Sequence, residues 1–198
     1  MSTPTLLIAV YADSPSAWRQ WLAENQATER SVWLAIYKKA SDKPSVTYDE
    51  AVDEALCFGW IDSSVRKGDA DHYFQFFTRR SPRSNWSRVN KAKVDKLLKA
   101  GKMTEAGMVM VDLAKRTGTW TALDEVENLI CPPDLAAEFH ENPMAKGYFD
   151  AFPKSVKRGI LEWLLNAKTA TTRAKRIREI VTLAERNERA NQYVPKST

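Results

Sequence analysis

Two stretches of the chain concentrate side chains suited to holding an anion. Between Arg79 and Lys102 lie nine Lys/Arg and a single acid, Asp95, for a local charge of +8. Arg79, Arg80, Arg83, Trp86 and Arg88 are interleaved there with Ser81, Ser84, Ser87 and Asn90. Guanidinium groups pair bidentately with phosphate or carboxylate, hydroxyls add donors, and an indole can stack on a base. Lys91, Lys93, Lys96, Lys99 and Lys102 continue the charge. The second stretch, Lys168 to Arg178, carries Lys168, Arg173, Lys175, Arg176 and Arg178 with no acid, for +5. The whole chain nets only +5, so everything else sums to −8. Charge concentrated this way is the sequence footprint of an anionic partner: a nucleic acid, a phosphorylated small molecule or an acidic protein. The competing reading is structural. Arg79 and Arg83 would then pair with the protein's own acids, Trp86 would be core, and Arg173 and Arg176 would bridge to acids on an adjoining helix.

A third constellation is ALCFGWIDSS (55–64), which gathers Cys57, Trp60 and Asp62 at a helix-to-strand turn, a place where ligand pockets often open. Cys57 could act as a nucleophile with His72 as its base only if the two side chains meet. A cysteine ending an apolar helix otherwise serves as a small buried hydrophobe. Asp69-x-Asp71-His72 offers three ligand types without a second histidine nearby, and His140 is remote in sequence. Asp49, Glu50, Asp53 and Glu54 fall in the first turns of a helix, where the macrodipole accounts for them. GxGxxG, Walker A and GxSxG are all missing. No catalytic residue, metal or cofactor is therefore assigned, and the residues read as binding rather than catalysis.

These groups need elements to position them. Thr5 to Tyr11 reads as a strand, and Ser14-Pro15 opens a helix with Trp18, Trp21 and Leu22 on its buried stripe. Val32 to Tyr37 is a second strand, ended by Lys38-Lys39. A capping box, Thr47-x-x-Glu50, starts a helix with Tyr48, Val52, Ala55 and Leu56 on one face, and Gly59 stops it. Trp60 to Val65 and His72 to Thr78 follow as two strands around Gly68-Asp69. From Ser87 onward the pattern is helical: about Ser87 to Ala100, then Thr104 to Arg116 closed by Gly118. A loop at Cys131-Pro132-Pro133 follows, with helices started at Asn142-Pro143 and Pro153. Val156, Ile160, Trp163, Leu164 and Ala167 form one core stripe, and Ala170, Ala174, Ile177, Val181 and Ala184 the next. The predicted class is α+β: a small antiparallel sheet with helices over residues 1–120, and a helical C-terminal unit over 133–198 packed on it. Trp18, Trp21, Leu56, Ile160, Trp163, Leu164 and Ile177 are expected in the core.

Composition sets the frame. In 198 residues, 43% are hydrophobic, including seven Trp and seven Phe, which is enough to build a core and argues against disorder. The two cysteines, Cys57 and Cys131, form no CxxC pair, so neither a disulfide framework nor a zinc site is expected. The opening MSTPTLLIAVYADSPS has no basic leader and only a short apolar stretch, Leu6 to Val10, and no run reaches transmembrane length. A cytoplasmic protein with no membrane insertion is the expectation.

ALCFGWIDSS (55–64), FTRRSPRSNWSRVN (77–90) and AKTATTRAKRIREIV (167–181) also occur in order with WL…VWLAIYKK and GTW. Together they resemble the YdeI/OmpD-associated (OmdA-type, "bacteriocin-protection") family across nearly the whole chain. The last segment resembles the compact helical unit that defines that family. The resemblance implies a role in bacteriocin or stress tolerance, and it carries no catalytic residues.

Overall fold

A computed structural model gives the arrangement of residues 9–191. The chain divides into two compact units, Met1–Thr121 and Ala122–Thr198.

The first unit begins with β1 (Ala9–Tyr11), α1 (Pro15–Asn25) and β2 (Ser31–Tyr37). Residues 5–8 of the expected first strand lie outside the described residues. Ser14 caps α1 by accepting from the Ala17 N–H at 3.3 Å, with Pro15 at the first helical position. Next come α2 (Tyr48–Cys57), β3 (Trp60–Lys67) and β4 (His72–Arg79), then α3 (Arg88–Lys99) and α4 (Glu105–Thr117). The capping box on α2 is complete: the Glu50 carboxylate accepts from the Thr47 N–H at 2.9 Å, and Thr47 Oγ1 accepts from the Glu50 N–H.

The sheet order is β1-β2-β4-β3. Here the expectation of an antiparallel sheet needs correction, because β1 pairs parallel to β2, with Val10 opposite Leu34. Parallel neighbours require a crossover, and α1 supplies it. The other pairings are antiparallel, and a bulge between Asp62 and Val65 shifts the β3 register. Buried Gln75 exploits that irregularity, donating from Nε2 to the Ser64 carbonyl at 3.2 Å.

The core of this unit joins Trp18, Leu22, Leu34, Ile36, Leu56, Trp60 and Phe77 to Trp86, Val94 and Leu97 of the α3 region. Two glycines make it possible. Gly59 adopts φ +73° after α2, which a side chain resists. At Gly107 a Cβ would lie 2.2 Å from the Cys57 carbonyl oxygen, so α4 reaches the end of α2 only because that position lacks a side chain. The same carbonyl accepts from Thr104, through Oγ1 at 2.6 Å and the N–H at 3.1 Å, which ties the start of α4 to α2.

The second unit is helical: α5 (Asp124–Glu127), α6 (Pro133–Glu141), α7 (Pro143–Ala151), α8 (Lys154–Leu165) and α9 (Ala170–Glu185). Cys131 and Pro132 are loop, as expected, while Pro133 already belongs to a helix, with Pro132 as cap and Pro133 at the first position, where its missing N–H costs nothing. Leu135, Phe139, Phe149, Ile160, Leu164, Ile177 and Ile180 form the core, with Phe139 and Phe149 rings 4.9 Å apart. Of the expected stripes, Ile160, Leu164, Ile177 and Ala184 are buried, and Val156, Trp163 and Val181 pack against that core. Leu161 and Ile180 are buried, whereas Ala170 and Ala174 are exposed. Trp163 and Trp21 are only half-buried.

Candidate anion-binding site

The basic stretch from Arg79 to Lys102 starts at the end of β4, crosses a loop, and runs through α3, where Ser87 caps the helix by accepting from the Asn90 N–H at 3.2 Å. Its side chains fall into two populations. The first faces inward. Trp86 is 2% exposed, its ring 5.0 Å from that of Trp120, and its N–H donates to the Thr119 carbonyl. Arg80 is 5% exposed, and its guanidinium carbon lies 3.7 Å from the Trp86 ring centroid. Arg80 Nη2 donates to the Asn85 carbonyl, and its Nε and Nη1 are buried without a partner. Burial pulls the Arg80 pKa down to about 10, against the opposing pull of Asp62. Arg79 is exposed but committed, donating from Nε to the Glu29 carbonyl at 2.8 Å. Lys93 pairs with Asp53 at 2.6 Å and Asp49 at 3.4 Å, which joins α3 to α2. Of the two readings of Trp86, the structure realises the core one.

The second population faces outward. Arg83, Arg88, Lys96, Lys99 and Lys102 are exposed and Lys91 is half-exposed. Lys91 Nζ lies 6.0 Å from the Trp120 ring centroid. Arg88, Val89, Ala92, Lys93 and Lys96 line a wide, shallow furrow along α3, with Val89 65% exposed on its floor. Among the described residues, Arg83, Lys96 and Lys99 have no ion-pair partner. Lys102 lies 3.7 Å from buried Glu54, which Arg19 also grips at 2.7 Å.

In the second basic stretch Arg173 and Arg176 are turned to internal use, whereas Lys168, Lys175 and Arg178 are exposed. Arg173 clasps Asp134 of α6 through Nε and Nη2 and holds its carboxyl below the usual carboxylate range. Arg176 donates to the Trp163 carbonyl, with its guanidinium carbon 4.7 Å from the Trp163 ring centroid.

The third constellation lies mostly in the interior. Cys57 is fully buried, and burial pushes its thiol up. Trp60 is 1% exposed, edge-on to Trp21 at 6.0 Å. Half-buried Asp62 accepts from the Tyr48 hydroxyl at 2.8 Å. Burial first, and Asp62 second, push the Tyr48 phenol up to about 12. His72 stands at the far end of β4 from the residues paired with Trp60, against Tyr37 and 2.8 Å from Asp69. Cys57 and His72 are thus not a nucleophile–base pair. Among the described residues no group of three His, Cys, Asp or Glu is placed to hold a metal, and no helix is long and apolar enough to cross a membrane.

A two-unit α+β protein with a basic helix on its sheet-bearing unit is the class these observations define. Residues 10–110 match the family model described as a domain of unknown function (DUF8412). Residues 128–187 match the one described as Bacteriocin-protection, YdeI or OmpD-Associated (OmdA). The chain belongs to the family of that first domain, and its second unit carries the domain of YdeI/OmpD-associated proteins. No curated protein and no solved structure gives a match to the chain.

Proposed function

We propose that this is a non-catalytic accessory protein of the bacteriocin-protection kind, working in the cytoplasm and binding an anionic ligand through the outward face of α3. The observation that carries this reading is the exposure of Lys96 and Lys99 on α3 and of Arg83 in the loop before it, with Asp95 the one acid among the residues from 79 to 102. Of the basic side chains in that stretch, Arg79 and Arg80 are spent on backbone carbonyls and Lys93 on acids of α2. An open, shallow, positively charged surface suits an extended polyanion better than a small enclosed substrate. The tolerance role rests on the family of the second unit. The cytoplasmic placement is supported by two free thiols, Cys57 and Cys131.

The test is an anisotropy titration of a labelled single-stranded oligonucleotide at low salt. Wild type should bind, and a triple variant, Arg83→Ala/Lys96→Ala/Lys99→Ala, should bind at least tenfold more weakly while keeping its melting temperature. Equal affinity of the two proteins would remove the α3 face from the account. Loss of oligonucleotide binding with retained binding of an acidic protein would redirect it to a protein partner.

A further inference from the structure

A second positively charged concavity lies beside the end of β2, where the sequence drew attention only to a strand end. It has a volume of about 660 Å³ and is formed where β2, the loop after it, the start of α2 and β4 converge. Its lining includes Lys38, Lys39 and Lys43 together with Tyr37, Tyr48 and Tyr73, and it contains no carboxylate. Three ammonium groups with no carboxylate among the lining residues favour an anion at this wall of the cleft.

The lining is also ordered by its own contacts. Lys43 Nζ lies 4.9 Å from the Tyr37 ring centroid and donates to the Tyr37 hydroxyl at 3.2 Å, which holds a flexible side chain over the cleft. Lys38 donates to the Asp69 and Ala70 carbonyls at 3.4 and 2.8 Å, so its charge is fixed at one side. Lys39 is exposed, with no ion-pair partner among the described residues. Asp42, Asp69 and Asp71 line the adjoining concavity, which shares Tyr37, Ser41 and Lys43, and Asp69 is engaged by His72; on the α2 and β3 side Glu50 is held by Thr47, and Asp62 by the Tyr48 hydroxyl. Tyr73 is half-buried, and its phenol, like any at neutral pH, is a hydrogen-bond donor.

We infer that this cleft is a binding site for a small phosphomonoester. Two or three ammonium groups match the near-dianionic charge of such a group at neutral pH. A bare phosphate would leave most of the cleft empty. The volume falls within the range of small-molecule sites, and the Tyr48 and Tyr73 rings with Ile36 offer an apolar wall for the organic part. The site is separate from the α3 face, and neither reading depends on the other.

The experiment is calorimetric titration of the full chain with adenosine monophosphate and glucose 6-phosphate, with adenosine, inorganic phosphate and sulfate as controls. At least one ester should bind, adenosine should not, and both inorganic anions should bind at least tenfold more weakly than the ester. Lys39→Ala/Lys43→Ala should weaken the ester at least tenfold with an unchanged melting temperature, and Tyr73→Phe should weaken it less. Lys96→Ala/Lys99→Ala should leave it unchanged, while Lys39→Ala/Lys43→Ala should leave oligonucleotide binding unchanged. Absence of binding by either ester at millimolar concentration would overturn the inference. So would unaltered affinity in the Lys39→Ala/Lys43→Ala protein, or sulfate binding as tightly as the esters.

Discussion

Replacing Trp86 with Ala separates a structural indole from a ligand-stacking one. Trp86 is 2% exposed, packs on Trp120 and lies under the Arg80 guanidinium at 3.7 Å. Emptying a buried aromatic site costs about 3–5 kcal/mol. A desolvated cation–π pair is worth about 2 kcal/mol, part of which is already contained in that range. The substitution also strands Arg80, whose Nε and Nη1 are buried without a partner and whose charge keeps only the Asn85 carbonyl. The upper part of the range, about 5 kcal/mol, is therefore expected, against a total of about 5–15 kcal/mol for a typical domain. With a urea dependence of about 2 kcal/mol per molar, the unfolding midpoint of the first unit should fall by about 2.5 M. The assay is a urea titration followed by tryptophan fluorescence and far-ultraviolet circular dichroism, with Trp120→Phe as a milder comparison. A change below about 0.5 kcal/mol, the size typical of surface substitutions, would refute the packing argument and return Trp86 to the ligand-stacking candidates.

Three further outcomes follow from individual contacts. Arg80→Met should be neutral or stabilising in the same titration, because it replaces an incompletely paired buried cation with an apolar chain of similar length; a loss above about 2 kcal/mol would mean that Arg80 has partners beyond Asn85 and Trp86. Asp134 is held below its ordinary value of 3.8 by Arg173, so its contribution to stability is present above that value and lost as pH falls through the lower folded one. Wild type should therefore melt above Asp134→Asn at neutral pH and converge with it in strong acid, and parallel melting curves at every pH would contradict the pairing. The Tyr48 phenol, pushed up to about 12, favours the folded state below its ordinary value of 10.0, and that contribution is lost as pH rises through about 12. Absorbance titration of tyrosinate should lose its latest phenol in Tyr48→Phe, and a late phase identical in wild type and that variant would refute it.

Much of the fold was legible because local chemistry decided it. Ser14-Pro15, Thr47-x-x-Glu50 and Asn142-Pro143 each satisfy orphan helix N–H groups with side chains in fixed register, and each marks a helix start in the structure. Strand partnership was less visible. Nothing local to Ala9–Tyr11 says whether it lies parallel or antiparallel to β2, since that depends on α1 crossing between them. The prolines at 132 and 133 invite a loop reading, yet proline is as suited to a helix's first position as to a loop. In α9 the expected stripe departs from the observed one at Ala170 and Ala174, which are exposed, while Ile177 and Ala184 are buried. Small alanines fit either face, so the larger Ile180 settles which side is buried.

Charge density located the basic stretch in the sequence, but it could not sort Arg80 from Arg83. The two differ in whether the backbone turns them toward Trp86 or away from it. Arg173 and Arg176 are equally basic in sequence, and their partners, Asp134 and the Trp163 carbonyl, come from other helices. The cleft of Lys39, Lys43 and Tyr73 left no sequence signal because its walls come from segments some thirty residues apart, brought together by the pairing of β2 with β4.

The salt dependence of oligonucleotide binding tests the central claim most directly. Each phosphate neutralised on a single strand adds about 0.7 to the slope of log affinity against log salt, so engagement of Arg83, Lys96 and Lys99 predicts a slope of about −2 or steeper. The Arg83→Ala/Lys96→Ala/Lys99→Ala protein should then show weaker binding and a slope flattened by about 2. A wild-type affinity that does not change with salt, or a variant whose slope equals that of wild type, would contradict the assignment of the α3 face as an anion-binding surface.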